Sequence, residues 1–152
     1  MRGFAGIGLY MPKNDLNVGG AMRAAQCYEA GLVVIQGRRY WPMSTDTMKA
    51  YRSIPVIHGC VDLFENIPYG SRPVGVELVA DAECLTTFKH PDNAFYIFGP
   101  EDGSLGDATL SRCTNIIKVP TAFCMNLAST VNVVMYDRLA KQLAKARMKE
   151  LA

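Results

Sequence analysis

Six short apolar runs recur along the chain, each closed by a turn-forming residue, and segments with helical spacing lie between them. The β-prone runs are residues 4–10, 32–35, 55–58, 73–79, 94–98 and 116–119. Leu32-Val33-Val34-Ile35 is continuously apolar and β-branched, the pattern of a buried strand. Helices are expected over residues 17–30, capped by Asn17 and stopped by Gly31, and over 107–112. A short helix is expected near 45–51, and a helical turn or two between Asp81 and His90. A long helix starts at Asn126, with Leu127, Val131, Val134, Met135, Leu139 and Leu143 along one stripe. Strands alternating with helices predict an α/β domain with a mostly parallel sheet.

The 152 residues are read as one domain, 1–152, long enough to bury a core. Hydrophobic residues make up 49% and charged ones 20%, which excludes a disordered chain. A net charge of +2 does not mark a nucleic-acid binder, although a local patch stays open. No apolar run is long enough to cross a bilayer, so no membrane partner is expected. Residues 1–7 lack a full signal-peptide pattern and read better as a first strand. Cys27, Cys60, Cys84, Cys113 and Cys124 are odd in number and contain no CxxC pair. They are expected to be free thiols in a cytoplasmic protein, with no metal site and no disulfide framework.

Three segments stand out as carriers of chemistry. The first runs from Pro12 to Ala25, where a loop with two asparagines enters a helix through Gly19-Gly20 and Arg23 follows on the first turns. Small residues there allow close approach of a backbone or ligand, although a capped helix with a surface arginine has the same signature. The second is Phe98-Gly99-Pro100-Glu101-Asp102-Gly103-Ser104-Leu105-Gly106, directly after a strand. Ligands of α/β sheets sit at such carboxyl ends, yet an ordinary acidic turn reads the same way. It matches no dinucleotide fingerprint, P-loop or nucleophile elbow. The third is Cys124-Met125-Asn126 at the mouth of the long helix, where free backbone N–H groups can hold a small molecule. It is equally a plain cap. His58 and His90 have no matched serine or aspartate for a triad and are read as surface or satisfied residues. Arg38-Arg39-Tyr40-Trp41 mixes guanidinium and aromatic groups, which suits phosphates and stacked bases or simply an exposed loop.

In this order the three segments resemble the SpoU (TrmH-like) branch of the SPOUT RNA methyltransferases. Asn17, Gly19 and Arg23 match its first motif, N-x-G-x-x-x-R. Gly99, Glu101 and Leu105 match the glycine–glutamate loop of the second. Val119-Pro120 followed by Met125-Asn126-Leu127 matches the third, with Cys124 where serine is usual. The similarity covers nearly the whole chain and is closest to small single-domain enzymes that methylate tRNA ribose. It implies an α/β-knot fold with a C-terminal trefoil knot, an exception to the rule of unknotted chains. It further implies S-adenosylmethionine as cofactor, RNA as substrate, and a homodimer with the C-terminal helix in the interface.

On that resemblance, Arg23, Asn17, Glu101 and Asn126 are the expected catalytic residues. Leu78, Gly99, Val119, Cys124 and Met125 are the expected cofactor-binding residues, and no metal is required. The implied reaction is methyl transfer to a ribose 2′-hydroxyl, most simply of tRNA. Arginine is already protonated at neutral pH (pKa above about 12) and cannot accept the proton, so Arg23 is assigned an electrostatic role, with Glu101 and Asn126 orienting it and the ribose. The alternatives are an RNA-binding module without catalysis, a base-nitrogen methyltransferase, an rRNA substrate, or a nucleotide-binding α/β enzyme unrelated to RNA.

Overall fold

The computed structural model describes residues 3–40 and 45–152. Trp41 of the arginine–aromatic segment Arg38-Arg39-Tyr40-Trp41 lies outside the described residues. Among the described residues seven strands form one sheet, in the order β3-β2-β1-β6-β4-β7-β5. They are β1 (Phe4–Leu9), β2 (Leu32–Gln36), β3 (Val56–Cys60), β4 (Arg72–Val76), β5 (Glu83–Cys84), β6 (Asn93–Phe98) and β7 (Asn115–Lys118). All six ladders are parallel. The helices are α1 (Asp15–Cys27), α2 (Gly106–Leu110) and α3 (Leu127–Glu150), with 3₁₀ turns at Ala50–Arg52 and Leu63–Asn66. The expected α/β architecture is therefore present, and the sheet is parallel throughout.

Both faces of the sheet are covered, and period-two alternation decides which residue goes where. Ala5, Ile7 and Leu9 of β1 pack with Val18, Met22 and Ala25 of α1 and with Val131, Val134 and Met135 of α3. Phe95 and Ile97 of β6 point to the other face and cluster with Leu63, Leu105 and Leu110. The Phe95 ring lies over Gly6 and Gly8, where an added Cβ would come within 2.5 and 2.6 Å of it. The stripe on α3 is thus mainly core of this same chain. Leu143 is the exception, at 61% exposed.

Several local expectations change. Asn14, not Asn17, caps α1, its side chain accepting from the Leu16 N–H at 2.8 Å. The helix ends before Gly31, with Glu29 in the left-handed region at φ 54°. Ala30 N–H then bonds the Ala25 carbonyl and Glu29 N–H bonds that of Gln26, a Schellman closure. The helix near 45–51 shrinks to the 3₁₀ turn at Ala50–Arg52, because buried Asp46 accepts the Ala50 N–H with both carboxylate oxygens and tightens the turn. Between Asp81 and His90 the chain makes strand β5 before its turn, since Leu85 N–H bonds the Lys118 carbonyl beside it.

The amino ends of the strands are tied together by α3. Arg138, only 2% exposed, donates to the carbonyls of Pro91, Asp92 and Phe4 and to the Tyr96 hydroxyl. His90 bonds Tyr96 at 2.6 Å and Asp137 at 2.8 Å, and Asp137 also pairs with Lys141. His90 is therefore satisfied, but it is not isolated: its aspartate arrives from α3, 47 residues away.

Candidate active site

Because every strand runs the same way, the loops after β1, β4, β6 and β7 meet at one end of the sheet, where α/β proteins place ligands. The loop after β6 supplies Glu101. Its Oε2 accepts from the Lys13 backbone N–H at 3.0 Å, and its Oε1 accepts from the Asn14 backbone N–H at 3.2 Å and from Asn17 Nδ2 at 2.9 Å. Asn17 turns its other end to α3, where its Oδ1 accepts from Asn126 Nδ2 at 2.8 Å. Asn126 Oδ1 accepts the Ser129 N–H and caps α3. One hydrogen-bonded chain, Glu101–Asn17–Asn126, thus joins all three motif segments. It also explains the cap on α1: Glu101 and Asn126 occupy the Asn17 amide, so Asn14 does the capping.

Burial pushes the Glu101 carboxyl upward, but the bonds it accepts, led by Asn17, outweigh this and hold its pKa below the usual range. Glu101 is therefore ionised at neutral pH. With its oxygens already accepting three N–H bonds, it is poorly suited to take a proton in a reaction. Its charge serves to fix the loops.

Arg23 is exposed on α1, two turns beyond Asn17. The hydrogen bond of its guanidinium goes to Thr47 Oγ1 at 3.3 Å, so Glu101 and Asn126 hold Asn17 where they were expected to orient Arg23. Gly19 makes the Thr47 contact possible. A Cβ at Gly19 would lie 2.1 Å from Thr45 Oγ1 and 3.0 Å from the Asp46 nitrogen, so only glycine lets segment 45–47 cross α1 there. Gly20 does the same toward α3, where a Cβ would lie 2.8 Å from that of Ala128.

Beside this chain a pocket of about 110 Å³ opens to solvent between the loops after β4, β6 and β7. Leu78, Gly99, Val119, Cys124 and Met125 all line it, together with Glu101. Arg23, Asn17 and Asn126 are not among the lining residues. The walls combine apolar Val76, Phe98 and Leu127 with two carboxylates, Glu77 and Glu101, and no lysine or arginine. That donor set favours a ligand with an apolar body and a positive charge. Glu77 is a residue that the sequence patterns did not single out. Its carboxylate accepts the Leu78 N–H at 3.1 Å and the Leu105 N–H at 2.9 Å, and so clamps the loop after β4 to the loop after β6. The available signal was a lone acid inside the apolar run 73–79.

A model of the SpoU rRNA Methylase family matches residues 6–136. No curated protein matches the chain in sequence. Among solved structures, the SpoU methyltransferase AviRb from Streptomyces viridochromogenes, in complex with the cofactor AdoMet, is 19% identical with a TM-score of 0.80, over 94% of this chain and 59% of that one. An AdoMet-bound rRNA methyltransferase from Sinorhizobium meliloti is 19% identical with a TM-score of 0.78, over 91% and 56%. A structure concerned with the 2-OH methylation of C/U34 on tRNA is 20% identical with a TM-score of 0.70, over 94% and 93%. The chain thus spans less than two thirds of the first two and nearly all of the third, and at these identities the likeness is one of fold.

Proposed function

The chain belongs to the SpoU rRNA methylase family, and from that premise we propose that it transfers a methyl group from S-adenosylmethionine to a ribose 2′-hydroxyl of RNA. The observation that carries this reading is the Glu101–Asn17–Asn126 chain on the rim of the pocket. When bound, the cofactor supplies a methyl group on a cationic sulfonium. The pocket suits such a group: its charged walls are carboxylates, and the three loops offer backbone groups at Leu78, Gly99, Val119 and Met125.

The residues of this chain have separate tasks. Glu77 and Glu101 fix the loops to one another through backbone N–H groups. Asn17 and Asn126 lock the mouth of α3 against α1. Arg23 projects from the solvent side of α1, positioned by Thr47, where RNA can reach it. A guanidinium there binds a phosphate in a bidentate manner and stabilises the alkoxide that develops on the 2′-oxygen as its proton passes to solvent and the sulfonium methyl is transferred to it. The trefoil knot would thread the three loops through one another, as the resemblance implies.

Transfer RNA is the substrate we favour, by analogy with the neighbour concerned with tRNA, and ribosomal RNA is the alternative. Incubation with unmodified tRNA or rRNA and cofactor carrying a labelled methyl group tests both. Ribose methylation blocks alkaline cleavage at that nucleotide, so label is expected in alkali-resistant dinucleotides. Label recovered on a base, or no label in either RNA, would remove the ribose reading.

The homodimer remains part of this proposal. The outer face of α3 carries Tyr136 and, two turns on, Leu143, each 61% exposed, an apolar surface available to a second copy. Sedimentation is expected to give a dimer at micromolar concentration, and a monomer there would exclude this arrangement. Among the described residues no helix is long and apolar enough to cross a membrane.

A further inference from the structure

A second cleft of about 490 Å³ lies at the β3 edge of the sheet, lined by Arg39, Tyr51, Arg52, Ser53 and His58 among others. No carboxylate lines it. None of the ion pairs among the described residues uses Arg39 or Arg52. Two guanidiniums facing one cavity without a counter-charge make it electropositive, and their planar forks match phosphate oxygens. His58 adds a ring nitrogen, Nδ1, that is shielded from solvent and has no partner among the described residues. Burial, and then Arg39, hold the His58 imidazole below its ordinary pKa, so at neutral pH it is a neutral hydrogen-bonding group. The arginine–aromatic segment therefore divides its work. Arg38 bonds the Lys13 carbonyl and lies over the Tyr40 ring, Tyr40 is buried, and Arg39 faces the cleft.

The position of the cleft relative to Arg23 points to its ligand. Ser53, in the cleft wall, bonds Gln26 of α1, and Thr47, just upstream, bonds Arg23 of the same helix. Arg23 and Gln26 are one turn apart, about 4.5 Å along the axis at about 1.5 Å per residue. The segment that builds the cleft is thus tied to the same stretch of α1 that carries Arg23. We propose that this cleft is a phosphate-binding subsite for RNA, gripping the backbone beside the nucleotide presented to Arg23; this rests on the RNA reading above.

The test is binding of fluorescently labelled, unfractionated tRNA, followed by anisotropy over a range of salt concentrations. The double variant Arg39→Ala, Arg52→Ala is expected to lose about tenfold or more in affinity at low salt. The slope of log K against log salt is expected to fall by about 1.4 to 1.8, the contribution of two phosphates. The double variant Arg72→Ala, Lys89→Ala removes equal charge from β4 and the turn before β6, several strands away from the β3 edge, and is expected to change both quantities far less. Calorimetry with S-adenosylmethionine is expected to give the same cofactor affinity for the wild type and both variants. Equal losses in the two double variants, or no loss in the first, would overturn the subsite. Cofactor binding with no tRNA binding by the wild type would overturn the subsite and leave the methyl-transfer reading standing. Binding of tRNA through the cleft without cofactor binding would uphold the subsite and overturn that reading.

Discussion

Replacing Arg23 with alanine is expected to slow methyl transfer by about a hundredfold or more, the usual consequence of deleting a preorganised electrostatic stabiliser. Cofactor affinity is expected to stay nearly unchanged, because Arg23 does not line the pocket between the loops. The two quantities separate cleanly: single-turnover rates read the first and calorimetry reads the second. Arg23→Lys should restore little, since an ammonium cannot hold a phosphate with a planar fork. Thr47→Val should fall between, because it frees the guanidinium from its 3.3 Å bond without removing it. Wild-type turnover by Arg23→Ala would end the proposed role. So would a rate loss that matched a loss of cofactor affinity, since that would mark a structural effect.

The largest effect on stability is expected at Arg138. Arg138→Ala takes the guanidinium from the buried Pro91 and Phe4 carbonyls, leaves the Asp92 carbonyl only the Phe4 N–H and the Tyr96 hydroxyl only His90, and opens a cavity. Each unsatisfied buried group costs about 1–3 kcal/mol, so a total of at least about 3 kcal/mol is expected. Thermal unfolding followed by circular dichroism should show Tm falling by about 10 °C. A change below about 1 kcal/mol would mean that water replaces the guanidinium without penalty. The neighbouring His90 gives this region a pH dependence of definite sign. Burial lowers its pKa, against an opposing pull from Asp137, so the unfolded chain takes up the proton more readily. The stabilisation is complete above the unfolded pKa of about 6.5 and is lost as the pH falls through the lower folded value.

What the sequence showed and what it hid follow from the range of the forces involved. The strand–helix alternation was legible because burial on both faces writes apolar runs directly into the chain. Asn17, Gly19, Glu101 and Asn126 were legible as ordered motifs, and the structure brings Asn17, Glu101 and Asn126 into contact. The cap of α1 was misplaced because two asparagines stand in its loop, and the choice between them is made by Glu101, 84 residues from Asn17. Strand β5 was hidden because two residues carry no period, and their pairing partner is β7. Glu77 was missed for a similar reason: its clamp on Leu105 spans 28 residues.

That same range governs when the site comes into being. The Asn17–Asn126 bond closes a span of 109 residues, and parallel ladders of this kind have no hairpin to nucleate them. As the chain leaves the ribosome, the strands and the first two motif loops emerge before Asn126 does. Until α3 docks, Asn17 lacks its second partner and the mouth of the pocket is incomplete. Completion of the site is then the last event of assembly, and a nascent or truncated chain that stops short of α3 holds only part of the Glu101–Asn17–Asn126 chain.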